Sequence, residues 1–203
     1  PVTQADTEAQ NFAEGVLLNR FPDDSIVGEE DLSHKGTNNR SWYIDPIDGT
    51  SNYCNNRYGW ATSIALVEGD KTLLSVIYLP AEKIVFFADE TGAWKGVFSK
   101  TCQKNSVCLA SKEQINITRK KLVEEANVTT WISKRRFKKY ENFFRNLLSE
   151  TSLAYVGVSG AVEMTNISDN KLDGWVQADV KLWDYIPGAF IAEKAGAILV
   201  DFE

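Results

Sequence analysis

One histidine and three cysteines are all that this 203-residue sequence contains of the softer metal ligands, and their placement excludes a zinc module. His34 stands alone in a polar stretch, where a surface position is expected. Cys54, Cys102 and Cys108 form an odd set, and the last two are too far apart for the short Cys pairs of zinc sites. Free thiols in a reducing compartment are therefore expected. Long hydrophobic runs are equally scarce: no stretch approaches the ~18 consecutive apolar residues of a membrane span, and residues 1–10 carry no apolar run like that of a signal peptide. A cytoplasmic protein without membrane contact is the resulting expectation. The chain opens on Pro1-Val2-Thr3 rather than methionine, which points to a processed, trimmed or partial product. Positive charge is also in deficit, with 22 Lys and Arg against 28 Asp and Glu. That balance argues against a general nucleic-acid binder, whereas acidic clusters can draw divalent cations.

What is present is the composition of an ordinary globular domain, 43% hydrophobic and 25% charged, so neither disorder nor a fibrous repeat is indicated. The length supports one large domain, 1–203, with approximate halves 1–105 and 106–203 and no need of disulfides. Apolar residues at Ala9, Phe12, Ala13, Val16 and Leu17 predict an amphipathic helix over 6–20, capped by Asp6 or Thr7 and ended by Pro22. Residues 41–44 suit a buried strand that should stop at Pro46, which cannot donate to a ladder. Between Trp60 and Phe98, turn signals separate three or four strands of an antiparallel meander. The second half alternates strand and helix, with a helix over 134–149, another over 161–168 and a last strand at 198–201, so a mixed α/β (α+β) class is expected.

The strongest local feature is Asp45-Pro46-Ile47-Asp48-Gly49-Thr50, which sets two carboxylates and a bare backbone turn where a buried strand gives way to a helix. Magnesium takes oxygen ligands of this kind, from carboxylates and a backbone carbonyl. Gly49 lets a phosphate approach the amides that follow. Metals and amide donors together describe phosphoryl transfer. The same spacing also suits two aspartates that merely cap a turn or helix. An EF-hand loop fails, because Gly49 and Asn56 fall where a side-chain oxygen and a glutamate belong.

Residues 42–53, with their Asp-Pro-Ile-Asp-Gly-Thr core, resemble the signature of the inositol monophosphatase family. Leu182-Trp183-Asp184 through Ala195-Gly196-Ala197 resembles its C-terminal signature. Thr3-Gln4-Ala5-Asp6 and Gly28-Glu29-Glu30 are similar to two flanking motifs. The resemblance covers nearly the whole chain and is weakest over 102–152. It implies a layered αβαβα sugar-phosphatase-type fold and two or three Mg2+ ions. By it, Glu29, Asp45 and the Ile47 carbonyl would hold one ion, while Asp45, Asp48 and Asp184 would hold a second. Asp6 and Thr50 would orient and deprotonate the attacking water, and the Gly49 and Thr50 amides would hold the phosphate. Gly160, Ala161, Gln177 and Asp184 would meet the substrate. Gln177 stands where inositol-specific members carry a glutamate, and the substrate-contacting glycine could instead be Gly157. The implied activity is hydrolysis of a small phosphorylated polyol, inositol monophosphate first, by a lithium-sensitive homodimer. Histidinol phosphate and nucleotide 3'-phosphates are the alternative substrates, and a non-catalytic regulatory relative is the rival of another class.

Other features are discounted at this level. The basic run Lys134-Arg135-Arg136-Phe137-Lys138-Lys139 reads as a solvated helix face behind a core stripe of Phe137, Tyr140, Phe144, Leu147 and Leu148. Sequons at Asn39, Asn116, Asn127 and Asn166 matter only in a secreted protein. The tryptophans are expected in the core or at sheet edges.

Overall fold

A computed structural model describes residues 2–30, 33–99, 108–119 and 121–201. Cys102 lies outside them. Two sheets organise the chain. The larger has eight strands in the order β2-β1-β3-β4-β5-β6-β7-β8: β1 Ser25–Gly28, β2 Ser33–His34, β3 Arg40–Asp48, β4 Ala61–Glu68, β5 Lys71–Leu79, β6 Ile84–Asp89, β7 Gly92–Phe98 and β8 Leu109–Gln114. Only β1 and β3 pair in parallel; from β3 onward the sheet is the expected antiparallel meander. The smaller sheet is parallel, ordered β10-β9-β11, from β9 Asn127–Thr130, β10 Leu153–Val156 and β11 Gly174–Trp175.

Helices separate and cover these sheets. Helix α1, Gln4–Arg20, lies against β3 on one face of the large sheet. There Ile26, Trp42, Ile44 and Leu66 meet Ala13, Leu17, Leu18 and Phe21. Helices α5, Gly160–Ser168, and α6, Leu182–Lys194, pack on each other and on the opposite face, burying Ile77, Phe86, Ala161, Phe190 and Ile191. Beyond α5 comes the small sheet, then α3, Lys134–Lys139, and α4, Glu141–Glu150. The sequence of layers is α, β, α, β, α.

Several local expectations change. Helix α1 starts two residues early, with Thr3 as the N-cap in a capping box with Asp6. Phe12 and Val16 are exposed, and the fully buried positions of α1 are the polar Asp6 and Gln10. Pro46 does not end β3: pairing with β4 resumes at Asp48 after a register shift, a bulge that takes proline where a ladder cannot. The helix over 134–149 breaks at Tyr140 into α3 and α4, so Phe137 and Leu148 are exposed while Phe144 is buried. Residues 198–201 are exposed and form no strand among the described residues, in contrast to the expected last strand. Helix α6 begins at Leu182 and carries Pro187 in its interior. Cys54 is exposed and Cys108 half-buried. No helix among the described residues is long and apolar enough to cross a membrane.

Candidate active site

A bulge turns a strand into a ligand turn. Asp45 still pairs with Ser63 on β4, but the chain then lifts out of register, so Asp45, Ile47 and Asp48 come to the sheet's end together. The Ile47 amide donates to Asp45 Oδ1 at 3.0 Å and fixes that turn. Gly49 follows with φ of 89°, and a Cβ there would stand 2.9 Å from the Gly59 carbonyl oxygen, so this position requires glycine. Helix α2, Thr50–Cys54, begins immediately after it.

Two other segments close on this turn. Glu29 follows β1, and its amide donates to the Ile44 carbonyl at 3.2 Å, setting its side chain beside Asp45 in hydrogen-bond contact. Asp184 sits at the third position of α6 and accepts from the Lys181 amide at 3.2 Å. It is therefore part of a capping arrangement in which Lys181 is the N-cap. Glu29, Asp45, Ile47, Asp48, Gly49, Thr50, Gly160, Gln177 and Asp184 all line one cleft of about 470 Å³. A larger, more open depression beside α2 has no carboxylate among the described residues that line it.

The electrostatics of the cleft are those of crowded acids. Burial, followed by the charges of Asp48 and Glu29, pushes the Asp45 carboxyl well above its ordinary value. Burial also pushes Asp48 up to about 7, against bonds from the Ala161 amide and Ser159 and with the Asp184 charge adding to the rise. Glu29 and Asp184 are raised by burial as well. Like charges this close ionise together only when a cation neutralises them. Among the described residues no three His, Cys, Asp or Glu side chains are already closed into a metal cage. The donors nevertheless suit magnesium, being all oxygen and clustered.

Asp6 and Ala161 do not line the cleft but act through residues that do. Asp6 is fully buried, accepts from the Thr3 amide and hydroxyl, and has Thr50 Oγ1 at 3.5 Å. The Ile47 carbonyl competes for the same hydroxyl proton at 3.1 Å. Ala161 gives its amide to Asp48 Oδ2 at 2.5 Å. Gln177 turns its carbonyl oxygen toward the Trp131 amide at 2.8 Å and the Thr130 hydroxyl at 3.3 Å. Gly157 and Gly160 both line the cleft, so the two candidate glycines are brought together.

Sequence reasoning passed over four residues. Gln10 holds the Glu30 amide at 3.0 Å and leaves no room for a Cβ on Gly28, which aims the acidic segment inward. Ser159 donates to Asp48. Glu163, raised by burial, lines the floor beside Gly157. Arg136, taken as solvated, is buried and lines the same cleft. Of these only Gln10 left a visible signal, through Gly28 before the Glu pair, since a glycine there asks what it makes room for.

The model of the inositol monophosphatase family matches residues 1–203. The chain belongs to the inositol monophosphatase family. Among its relatives, a fructose-1,6-bisphosphatase/inositol-1-monophosphatase of Aquifex aeolicus is 26% identical over 201 residues, covering 97% of this chain and 70% of the relative. A Nus factor SuhB of Vibrio cholerae is 26% identical over 206 residues, covering 99% and 72%. The fold matches an inositol monophosphatase structure from Anabaena sp. PCC 7120 with a TM-score of 0.81 at 23% identity, over 96% of this chain and 73% of that one. Membership in the family supports a phosphatase, and the family is metal-dependent.

Proposed function

We propose that this protein is a magnesium-dependent phosphomonoesterase that hydrolyses a small phosphorylated polyol, with inositol monophosphate as the first substrate to test. The observation carrying this reading is the convergence of Glu29, Asp45, Asp48 and Asp184 on one cleft, where burial raises all four and repulsion from neighbouring carboxylates adds to the rise of Glu29, Asp45 and Asp48. Buried acids without a counter-charge destabilise a fold, so their assembly favours a cation-binding role. Glu29, Asp45 and the Ile47 carbonyl would hold one ion, and Asp45, Asp48 and Asp184 a second, with Glu29 assisting a weaker third. When bound, magnesium supplies Lewis-acid polarisation of the phosphate and lowers the pKa of the attacking water.

The protein's own groups carry the rest. Asp6, held by Thr3, is placed to take the Thr50 proton, which leaves the Thr50 oxygen to accept a proton from water and orient it for in-line attack. Gly49 and Thr50 present their amides to the phosphate, and no side-chain nucleophile or covalent phosphoenzyme is required. Gly160, Gln177 and Asp184 face the alcohol being released. A homodimer inhibited by lithium is the accompanying expectation, as is a cytoplasmic location. The name Nus factor SuhB on some relatives raises a regulatory reading; the complete acidic set favours catalysis.

Phosphate release from myo-inositol 1-phosphate, histidinol phosphate and 3'-phosphoadenosine 5'-phosphate, with and without magnesium, tests the proposal. Magnesium-dependent turnover that Asp48→Asn abolishes is expected. A folded wild type silent on all three would shift weight to the regulatory reading.

A further inference from the structure

The same cleft is lined by a buried cation with an unused donor. Arg136 is only 6% exposed, and its guanidinium carbon lies 4.0 Å from the centre of the Trp131 ring. Its Nη2 donates to the Asp179 carbonyl at 2.9 Å. Its Nη1 is buried with no hydrogen-bond partner among the described residues. A guanidinium stays protonated at any working pH, so an unmatched buried N–H of this kind carries a desolvation cost until an acceptor arrives.

The nearby acceptors have other hydrogen-bond partners: Asp184, whose charge acts on Arg136, takes the Lys181 amide at 3.2 Å. The Asp179 carboxylate takes Lys139 Nζ at 3.0 and 3.2 Å and the Tyr140 hydroxyl at 2.9 Å. The oxygen of Gln177 is occupied by Trp131 and Thr130, and as a neutral amide Gln177 cannot neutralise Arg136. Stacking on Trp131 fixes the guanidinium plane, and Arg135 lines the cleft beside it. A fixed planar fork with a spare N–H matches an oxyanion better than a lone hydroxyl.

We propose that Arg136, on its Trp131 platform, forms a second anion subsite in this cleft, so that the preferred phosphate ester carries a further oxyanion, either a carboxylate or a second phosphate. This rests on the phosphatase reading and names its substrate class. Arg136 is then a specificity-determining residue that holds the end of the substrate remote from the scissile phosphate.

The test compares kcat/KM for matched pairs: fructose 1,6-bisphosphate against fructose 1-phosphate, and 2-phosphoglycerate against glycerol 2-phosphate. The first pair reads a second phosphate and the second a carboxylate. In wild type the doubly anionic member of at least one pair is favoured. That ratio falls about 10- to 100-fold in Arg136→Met, the scale of a lost hydrogen bond to a charged group, and less in Arg136→Lys. A ratio near one in wild type, or unchanged in both variants, overturns the proposal. Arg136→Lys decides alone if Arg136→Met does not fold. Should wild type turn over myo-inositol 1-phosphate but none of the four, the proposal is overturned; should it turn over neither that ester nor any of the four, the phosphatase reading fails, and the subsite is judged by thermal protection in metal-free buffer. Greater protection by a doubly anionic probe than by its partner, lost in the Arg136 variant, supports it; equal or absent protection overturns it.

Discussion

Ser159 Oγ donates to Asp48 Oδ2 at 2.9 Å, joining the loop before α5 to the end of β3. The same serine oxygen accepts from the Val162 amide at 3.1 Å, so one hydroxyl caps a helix and orients a candidate ligand. Ser159→Ala is expected to lower stability by about 1 kcal/mol through the lost cap. The magnesium concentration needed for half-maximal activity should rise roughly tenfold, since partners behind a metal ligand commonly tune affinity by that much. A magnesium titration beside a denaturant melt checks both; an unchanged magnesium requirement would remove Ser159 from the site.

Asp48→Asn should separate activity from stability. Replacing partners behind a ligand already costs metal sites 10- to 100-fold, so losing the ligand itself should lower turnover by roughly 100-fold or more. In EDTA the same variant should melt at or above wild type, because it removes one charge from a crowded set whose members raise one another. Adding magnesium should stabilise wild type and leave the variant nearly unmoved. A variant that melts well below wild type in EDTA would mean that Asp48 is structural.

Gly28 and Gln10 should behave as a coupled pair. A Cβ on Gly28 would fall 2.2 Å from Gln10 Nε2, so Gly28→Ala forces the glutamine off the Glu30 amide and costs roughly 1–3 kcal/mol through overpacking. The double variant Gln10→Ala/Gly28→Ala should lose less than the sum of the two singles. Strict additivity in denaturant melts would show that the contact does not matter.

Acid stability should depend on Asp24, which is fully buried and accepts from Asn38 at 2.7 Å, Arg40 at 2.7 and 2.9 Å and Trp42 at 2.8 Å. Burial raises this carboxyl, but the bonds from Asn38, Arg40 and Trp42 outweigh it and hold the group below its ordinary 3.8. A group lowered on folding stabilises the protein above its unfolded pKa, and that contribution is lost as pH falls through the folded value. Asp24→Asn is expected to cost roughly 3 kcal/mol at neutral pH, the low end for breaking a buried charge pair, because Arg40 keeps partial access to water. Its stability should also fall less steeply than that of wild type below pH 4. Parallel acid profiles for the two proteins would refute this.

Much of the site was readable because its residues sit in short contiguous motifs. Asp45, Ile47, Asp48, Gly49 and Thr50 share one turn, and their chemistry follows from residue type and order. The meander was legible for a similar reason, since antiparallel neighbours in sequence are neighbours in space and turn residues mark each reversal. Arg136 was misread because periodicity reports which face of a helix is apolar. It cannot report that α3 is too short to present a face, or that Trp131 and Asp179 would cover one of its cations.

The sequence by itself determined the family, the candidate acidic residues and the order of strands in the meander, all of which depend on local pattern and residue chemistry. Only the tertiary structure decided that Pro46 would sit in a bulge, that Asp24 and Gln10 would be buried polar anchors, and that Ser159 and Arg136 would reach the cleft. Those outcomes depend on contacts between segments far apart in the chain, where burial changes what a polar group costs and which partner satisfies it.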